Sequence, residues 1–430
     1  MRLSGFDESE TGFWLQAYPD LFKINSLDEP ADMLLLRSSA SPVPADAQHW
    51  VAGARVVVID AEGAAVSEWR KHLKASLPLV REYALLPAQN PRVVVPLTNR
   101  QHAVAALTVH RPGRRLARWG VGLARLLARI GSYRLLRRRV LIIATRGDET
   151  LPQGARLSGL LPGTREAIDD FALYLGTPDD NRKTVVLPLG AAQAQVLLKV
   201  ASSARARDAV RNEAAALGAL AMTPLAAQVP RLHRLVDSDS VVTLHQEYRP
   251  RTRCQAGVEA HAVVGFLRQL AEVDAHFEPL AKVLERLPKR KAAGLTDEVE
   301  AACVALEGNL QALADSEISV RLQRVHGDFA PWNCAWTDKG LFVYDWEESK
   351  ADGLALGDAF YYSIAPALLV KRNPNPLKTL QAALRFADKV IEASGIELDS
   401  RVYLALWLLG RPDKTGLYGE LIVLLERNWR

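Results

Sequence analysis

The sequence predicts an α+β protein with a small strand-rich lobe, a larger helical lobe after it, and an α/β region ahead of both. Three observations lead there. Before residue 250 the apolar residues come mostly in short runs rich in Val, Leu and Ile, bounded by turn residues, which is the pattern of strands. Beyond it, residues 261–276, 297–315, 377–393 and 402–425 show the apolar spacing of helices. Among these helices lies one stretch, residues 325–347, whose carboxylates, amide and imidazole suit a reaction centre better than a core. At 430 residues, two or three domains are expected. A hydrophobic content of 49% beside 24% charged residues excludes a disordered chain. The three cysteines, Cys254, Cys303 and Cys334, are far apart and lack metal-ligand spacing. They indicate neither a disulfide framework nor a zinc site, and they suit a reducing compartment. The first residues contain no secretory apolar core, and no apolar run reaches the roughly 18 residues of a membrane span. A cytoplasmic protein is the expectation.

Residues 1–150 read as an accessory α/β region. Strands are expected at 32–37, 55–60, 92–96 and 139–144, with a helix at 67–79. No nucleotide-binding loop or catalytic triad is visible there. From Tyr83 to Gly147 there is no Asp or Glu, while arginines are abundant. A helix near 111–131 would place Arg111, Arg114, Arg115, Arg118, Arg125 and Arg129 on one face. Leu116, Trp119, Leu123, Leu126, Leu127 and Ile130 would form the other. Three readings stay open: a surface helix with its apolar side on its own domain, a helix in an anionic membrane interface along 111–139, or contact with another acidic partner. Nucleic acid is the least favoured of these.

The small lobe is expected over 162–250. Residues 172–189 read as strand, turn, strand, with Gly176 in a turn able to lay N–H groups over phosphates. Lys199 sits inside an apolar strand at 195–200, a costly place for an ammonium group unless it meets an anion. Glu213 lies on the following helix, 204–220. Strand lysine followed by helix glutamate is the order in which a glutamate holds a lysine against nucleotide phosphates. Residues 241–250 read as a last strand running into a hinge, where the backbone of Glu247 and Tyr248 would meet the nucleotide base.

The helical lobe, 251–430, carries the densest signal. His326-Gly327-Asp328 is followed by Asn333, then by an apolar strand ending in Asp345-Trp346-Glu347. Phosphoryl transfer from a nucleotide needs these groups at about this spacing. A carboxylate, Asp328, orients or deprotonates the attacking hydroxyl. An amide oxygen, Asn333, and a second carboxylate, Asp345, can hold magnesium, which takes few protein oxygens and keeps its waters. Asp297 is read as a helix N-cap with Glu300 as its reciprocal partner, and Trp332 and Trp336 as core.

These motifs resemble those of the aminoglycoside phosphotransferase and choline kinase group, small-molecule kinases with a protein-kinase-like fold. The resemblance spans roughly residues 165–365. It implies transfer of the γ-phosphoryl group of ATP, with Mg2+, to a hydroxyl of a small molecule such as a sugar, an amino alcohol or an envelope polysaccharide or lipid precursor. His-Gly-Asp in place of the His-Arg-Asp of protein kinases favours a small acceptor. The resemblance makes His326 a structural residue of the loop. It also makes Asp358 a brace for that loop, with a plain N-cap as the alternative. With Gly176 alone, the phosphate-covering turn departs from a glycine-rich loop. Glu347, Glu348 and Asp352 would suit a cationic or polyhydroxyl acceptor, or simply face solvent. Combined with the basic helix, this reading places the protein at the periphery of the inner membrane face. The rival readings are a non-catalytic scaffold of envelope polysaccharide biosynthesis that keeps the fold, and a protein kinase.

Overall fold

The structure is a computed structural model describing residues 2–4, 33–38, 51, 56–77, 79–88, 91–109, 115–145, 170–176, 179–189, 196–239, 241–250, 256–288, 295–371, 374–411 and 415–429. It is α+β, and it divides into two compact units. The first comprises Met1–Arg211 and His233–Tyr248; the second comprises Asn212–Leu232 and Arg249–Arg430.

The first unit is built on one sheet. In chain order its elements are β1 (Arg2–Ser4), β2 (Met33–Ser38), β3 (Val56–Glu62), α1 (Ala65–Ser76), β4 (Leu79–Leu86), β5 (Val93–Pro96), α2 (Arg100–Val109), α3 (Arg115–Arg129) and β6 (Arg139–Thr145). Then follow β7 (Asp170–Leu175), β8 (Lys183–Leu189), β9 (Val196–Ala201), α4 (Ala204–Leu220), which crosses the unit boundary, β10 (Leu232–Asp237) and β11 (Val242–Glu247). The eleven strands run in the order β1-β2-β3-β6-β4-β5-β7-β8-β9-β11-β10. The sequence reading separates residues 1–150 from 162–250, yet strands of both share this sheet. The joint is antiparallel, with Val93 opposite Tyr174 and Val94 opposite Leu173. Beside it the fully buried Tyr83 and Phe171 rings stack at 4.8 Å. Short strands pair wherever an edge is open, so a domain boundary read from motif content need not be a boundary in the sheet.

Trp69 and Leu73 of α1, Ala103 and Leu107 of α2, and Ala124 and Ala128 of α3 pack into one apolar core with Ile59, Val95 and Ile142 from the sheet. Helix α3 departs from the arrangement in which its large apolar residues face its own domain. It turns its small residues inward. Trp119 is 78% exposed, and Leu123, Leu126 and Ile130 are exposed with it. The basic stretch is also divided. Arg139 is buried and makes a two-pronged ion pair with the buried Asp60, at 2.8 and 2.5 Å. Arg137 pairs with Glu82, and Arg125 donates to the Leu107 carbonyl. Arg129, Arg134 and Arg138 remain exposed. Arg111 and Arg114 lie outside the described residues, and of the side chains of Arg115, Leu116 and Arg118 nothing is described.

The second unit contains α5 (Ala256–Leu270), β12 (His276–Pro279), α6 (Leu280–Glu285), α7 (Asp297–Ala314), β13 (Ser319–Val325), β14 (Cys334–Thr337), β15 (Gly340–Val343), β16 (Lys350–Leu354), α8 (Gly357–Leu369), α9 (Pro376–Ser394), α10 (Ser400–Leu409) and α11 (Gly416–Arg427). Strands β12, β13 and β16 form one small sheet, and β14 and β15 a hairpin. The expected helix 261–276 stops at Leu270, because the chain turns through Asp274 at a positive φ of 55° and His276 opens β12. The cap of α7 is Thr296, whose hydroxyl accepts from the Val299 N–H; Asp297 is the first helical residue, where its charge meets the helix dipole. Helix α9 starts at an Asn375 cap with Pro376 behind it and ends at Gly395 in the left-handed region. The span 402–425 is two helices, since α10 ends at Gly410 and α11 begins at Gly416.

Candidate active site

The site of the second unit is built at the end of β13. From Val325 the chain enters a loop, returns through the β14–β15 hairpin, and leaves by a short 3-10 turn, Trp346–Glu348, into β16. Gly327 takes φ 86°, and a Cβ there would stand 2.1 Å from the Glu348 carbonyl oxygen. Only glycine fits, because both the conformation and the space exclude a side chain.

His326 is fully buried, and both its ring nitrogens are engaged. Nε2 lies 2.7 Å from the Tyr344 carbonyl oxygen, and Nδ1 lies 3.2 Å from the Asp328 N–H. A carbonyl only accepts and an N–H only donates, so the ring is neutral with its proton on Nε2. It ties the loop to the strand before Asp345 and has no nitrogen to spare as a base. Trp346 and Phe329 flank it, with ring centroids at 4.6 and 5.8 Å, and Phe266 stacks on Phe329 at 5.6 Å.

Asp358 is buried and does not cap its own helix. Its Oδ2 accepts from the His326 N–H at 2.7 Å and its Oδ1 from the Gly327 N–H at 3.0 Å. Burial pushes its carboxyl above the ordinary value, against the opposing hydrogen bonds from the two N–H groups.

Asp328 is half-buried at the loop's tip. The Asn333 amide nitrogen donates to its Oδ2 at 2.8 Å and to its backbone oxygen at 2.9 Å. Both partners are acceptors, so the amide is oriented with its NH2 toward Asp328 and its Oδ1 left as an oxygen donor for a cation. The Asn333 carbonyl accepts from the Tyr344 N–H at 2.9 Å, one residue before Asp345. Asp345 adopts the left-handed conformation, φ 70° and ψ 57°, which is uncommon outside glycine and concentrates at functional sites. Carboxylate oxygens of Glu213, Asp345 and Glu347 lie within 4.8 Å of one another. Asn212 helps to place them, because its side-chain amide donates to the carbonyls of Glu347 and Ser349 at 2.7 and 2.9 Å. Sequence reasoning assigns Glu347 to the acceptor or to solvent; here it stands beside Asp345. The donors are hard oxygens, which suit magnesium. Trp332, expected in the core, is 37% exposed.

The remaining sequence-predicted residues belong to the first unit. Lys199 is 7% exposed at the centre of β9, opposite Val185 on β8 and Leu244 on β11. Gly176 closes the β7–β8 hairpin: a Cβ there would lie 2.9 Å from the Lys183 carbonyl oxygen, so local packing accounts for the glycine. The next two residues of that turn lie outside the described residues. Glu247 ends β11, and Tyr248 follows it.

Sequence reasoning misses one group. Tyr361 of α8, Trp407 of α10 and Tyr418 of α11 surround the Arg411 guanidinium, whose carbon lies 5.4, 3.9 and 5.8 Å from their ring centroids. Burial and the neighbouring Asp328 carboxylate push the Tyr361 hydroxyl well above its ordinary pKa. Burial lowers that of Arg411, with Tyr418, Tyr361, Asp358 and Asp328 pulling it back. No local motif announces this group, because its members come from three helices and a loop.

Comparison with known proteins bears on the same segment. Residues 178–355 match the model of the phosphotransferase enzyme family. The matched segment runs from the β7–β8 turn to the entrance of α8 and includes Lys199, Glu213, Asp328, Asn333 and Asp345. Solved structures with similarity include the gentamicin–APH(2")-IIa complex, at 17% identity and TM-score 0.35, over 56% of this chain and 80% of that one. Another is APH(3'')-Id from Streptomyces rimosus with ADP and streptomycin, at 17% identity and TM-score 0.35, over 56% and 92%. A putative fructosamine-3-kinase from Haemophilus somnus is similar at 15% identity and TM-score 0.34, over 60% and 92%. No curated protein sequence matches the chain.

Proposed function

We propose that the protein is an ATP-dependent phosphotransferase that phosphorylates a hydroxyl of a small molecule. The observation that carries this reading is the Asp328–Asn333 pair, hydrogen-bonded at 2.8 Å and tied through the Asn333 carbonyl to the residue before Asp345. Asp328 presents the carboxylate oxygen that Asn333 does not hold to the acceptor hydroxyl. The hydroxyl oxygen attacks the γ-phosphorus and forms the new P–O bond. The bond from that phosphorus to the bridging oxygen breaks, its electron pair leaves with ADP, and the hydroxyl proton passes to Asp328. Asn333 Oδ1 and Asp345, with Glu347 beside it, would hold magnesium, which when bound neutralises phosphate charge. Lys199 and Glu213 take the phosphate-contacting and orienting roles that their order in the chain suggests, and the backbone at Glu247 and Tyr248 meets the base. Catalysis is then mostly positioning and electrostatics.

The test is ATP consumption over sugars, amino alcohols, hydroxy acids, sugar phosphates and generic protein substrates. Turnover of a small acceptor, cut by about 100-fold or more in Asp328→Asn, is expected. Nucleotide binding without turnover of any acceptor would favour a scaffold, and turnover of protein alone would favour a protein kinase.

A second element of the reading is an anionic membrane surface as partner. It is supported by the outward apolar stripe of α3, Trp119, Leu123, Leu126 and Ile130, beside the exposed Arg129, Arg134 and Arg138. No helix among the described residues is long and apolar enough to cross a membrane. Contact would therefore be interfacial, with apolar side chains in the headgroup boundary and arginines at the lipid charges.

A further inference from the structure

The Arg411 guanidinium carries five N–H donors, yet among the described residues no hydrogen bond or ion pair engages it. Its partners are ring faces, Trp407 at 3.9 Å and Tyr361 and Tyr418 farther out. Rings hold the plane of a guanidinium and leave its edge available. Two plainer explanations fail. Arg411 follows the C-terminus of α10, where an arginine can bond the last carbonyls, but among the described residues its side chain bonds none of them, and Leu408 O instead accepts from the Arg411 backbone N–H at 3.1 Å. Nor does any carboxylate of the described residues form an ion pair with it. Asp358 is already bound by the N–H groups of His326 and Gly327, and Asp328 by Asn333. Meanwhile Tyr361, one wall of the aromatic cage, stands beside the Asp328 carboxylate. One wall of the cage thus adjoins the proposed base within the second unit.

We infer that Arg411, held by Trp407, Tyr361 and Tyr418, is the binding residue for an anionic group of the acceptor, a carboxylate or a phosphate, and that it brings the acceptor's hydroxyl to Asp328. This rests on the phosphotransferase reading and narrows it. A planar guanidinium edge matches either anion with two parallel hydrogen bonds, and the ring faces beside it suit the apolar face of a sugar or a short carbon chain. A cationic acceptor would meet charge repulsion at Arg411. The acidic residues Glu347, Glu348 and Asp352 therefore do not define the acceptor's charge.

The experiment has two readouts. The first is equilibrium binding, followed by tryptophan fluorescence with ADP and magnesium present, of glycerate, glycerol 3-phosphate, glycerol and choline. Saturable binding of an anionic probe is expected, weakened roughly 10- to 100-fold in Arg411→Ala, partly restored in Arg411→Lys, and retained in Asp328→Asn. The carboxylate and phosphate probes tell the two anions apart. The second readout is ATP-dependent phosphorylation of the same compounds. Loss of Arg411 should act mainly on KM, whereas loss of Asp328 acts on kcat. Circular dichroism and the melting temperature check that each variant is folded. Binding of glycerol or choline in preference to the anions, no saturable anion binding by the wild type, or anion binding indifferent to both Arg411 substitutions would overturn the inference. Anion binding that depends on Arg411 without any phosphorylation would keep the anion site and count against the phosphotransferase reading instead.

Discussion

His326 and Asp358 illustrate how a few buried atoms hold the proposed base in place. Neither is positioned to meet a substrate, yet both fix the backbone from which Asp328 projects, one through its ring nitrogens and one through its two oxygens. Asp358→Asn offers one acceptor where two are needed and turns an NH2 toward a backbone N–H. It is expected to destabilise the second unit by about 1–3 kcal/mol at acidic pH. The pH dependence follows from the direction of the shift. The folded pKa of Asp358 is raised, so its stabilising contribution is complete below the ordinary carboxylate value and declines as pH rises through the raised one. The wild type's advantage over Asp358→Asn should therefore narrow from pH 4 upward, read as the difference in urea midpoints. A gap that widens with pH would contradict the assignment. At this scale the sequence was legible where the chemistry is local. His326, Gly327, Asp328, Asn333 and Asp345 lie within one stretch whose spacing announces them. Tyr361, Trp407, Arg411 and Tyr418 do not, because nothing near any one of them in the chain specifies the others.

Helix α3 shows what an element's pattern does and does not reveal. Its two faces were legible from spacing, but their orientation was not. Large apolar residues would ordinarily be assigned to the core, yet Ala124 and Ala128 are the residues that face it. Small side chains let a helix approach its neighbours closely, and this one lies against α2 with Arg125 bonded to the end of that helix. The bulky side was left outside. Exposed Trp119 and Leu126 make few contacts that stabilise the fold, so Trp119→Asp with Leu126→Asp should change stability by less than about 1 kcal/mol. The same pair should reduce binding to vesicles containing phosphatidylserine by at least roughly tenfold, since each buried side chain and each lipid-facing arginine contributes on the order of 1 kcal/mol or more. Flotation with phosphatidylserine vesicles and with neutral phosphatidylcholine vesicles gives the measurement. Equal recovery of wild type and variant, or equal recovery on both lipids, would remove the membrane from the functional reading.

At the scale of the whole chain, four strands of residues 1–150 were legible, and the expected positions 32–37, 55–60, 92–96 and 139–144 fall within a residue or two of β2, β3, β5 and β6, whereas β1 and the central β4 were not expected. The partnership of these strands with β7 was not legible either, because pairing between strands 80 residues apart leaves no local mark, whereas the absence of catalytic motifs suggested an appended domain. The sheet gives these residues a structural task. Strand β7 is held on one side by β8 and on the other by β5. Its Asp170 is buried, taking hydrogen bonds from Thr98 and the Phe171 N–H, with the His102 ring nitrogen 3.1 Å away. A chain beginning at residue 162 would keep every proposed catalytic group but would lose Thr98, His102 and Tyr83. It would expose an apolar strand edge of unpaired N–H and C=O groups and leave the Asp170 carboxylate without its side-chain partners. Such a chain is expected to aggregate, with no monomer peak in size-exclusion chromatography and no nucleotide-dependent rise in melting temperature. If it ran instead as a folded monomer that still gains stability from ATP and magnesium, the N-terminal strands would be an attachment to a self-sufficient segment carrying the proposed site, and the shared sheet would not be what keeps β9 and Lys199 in place.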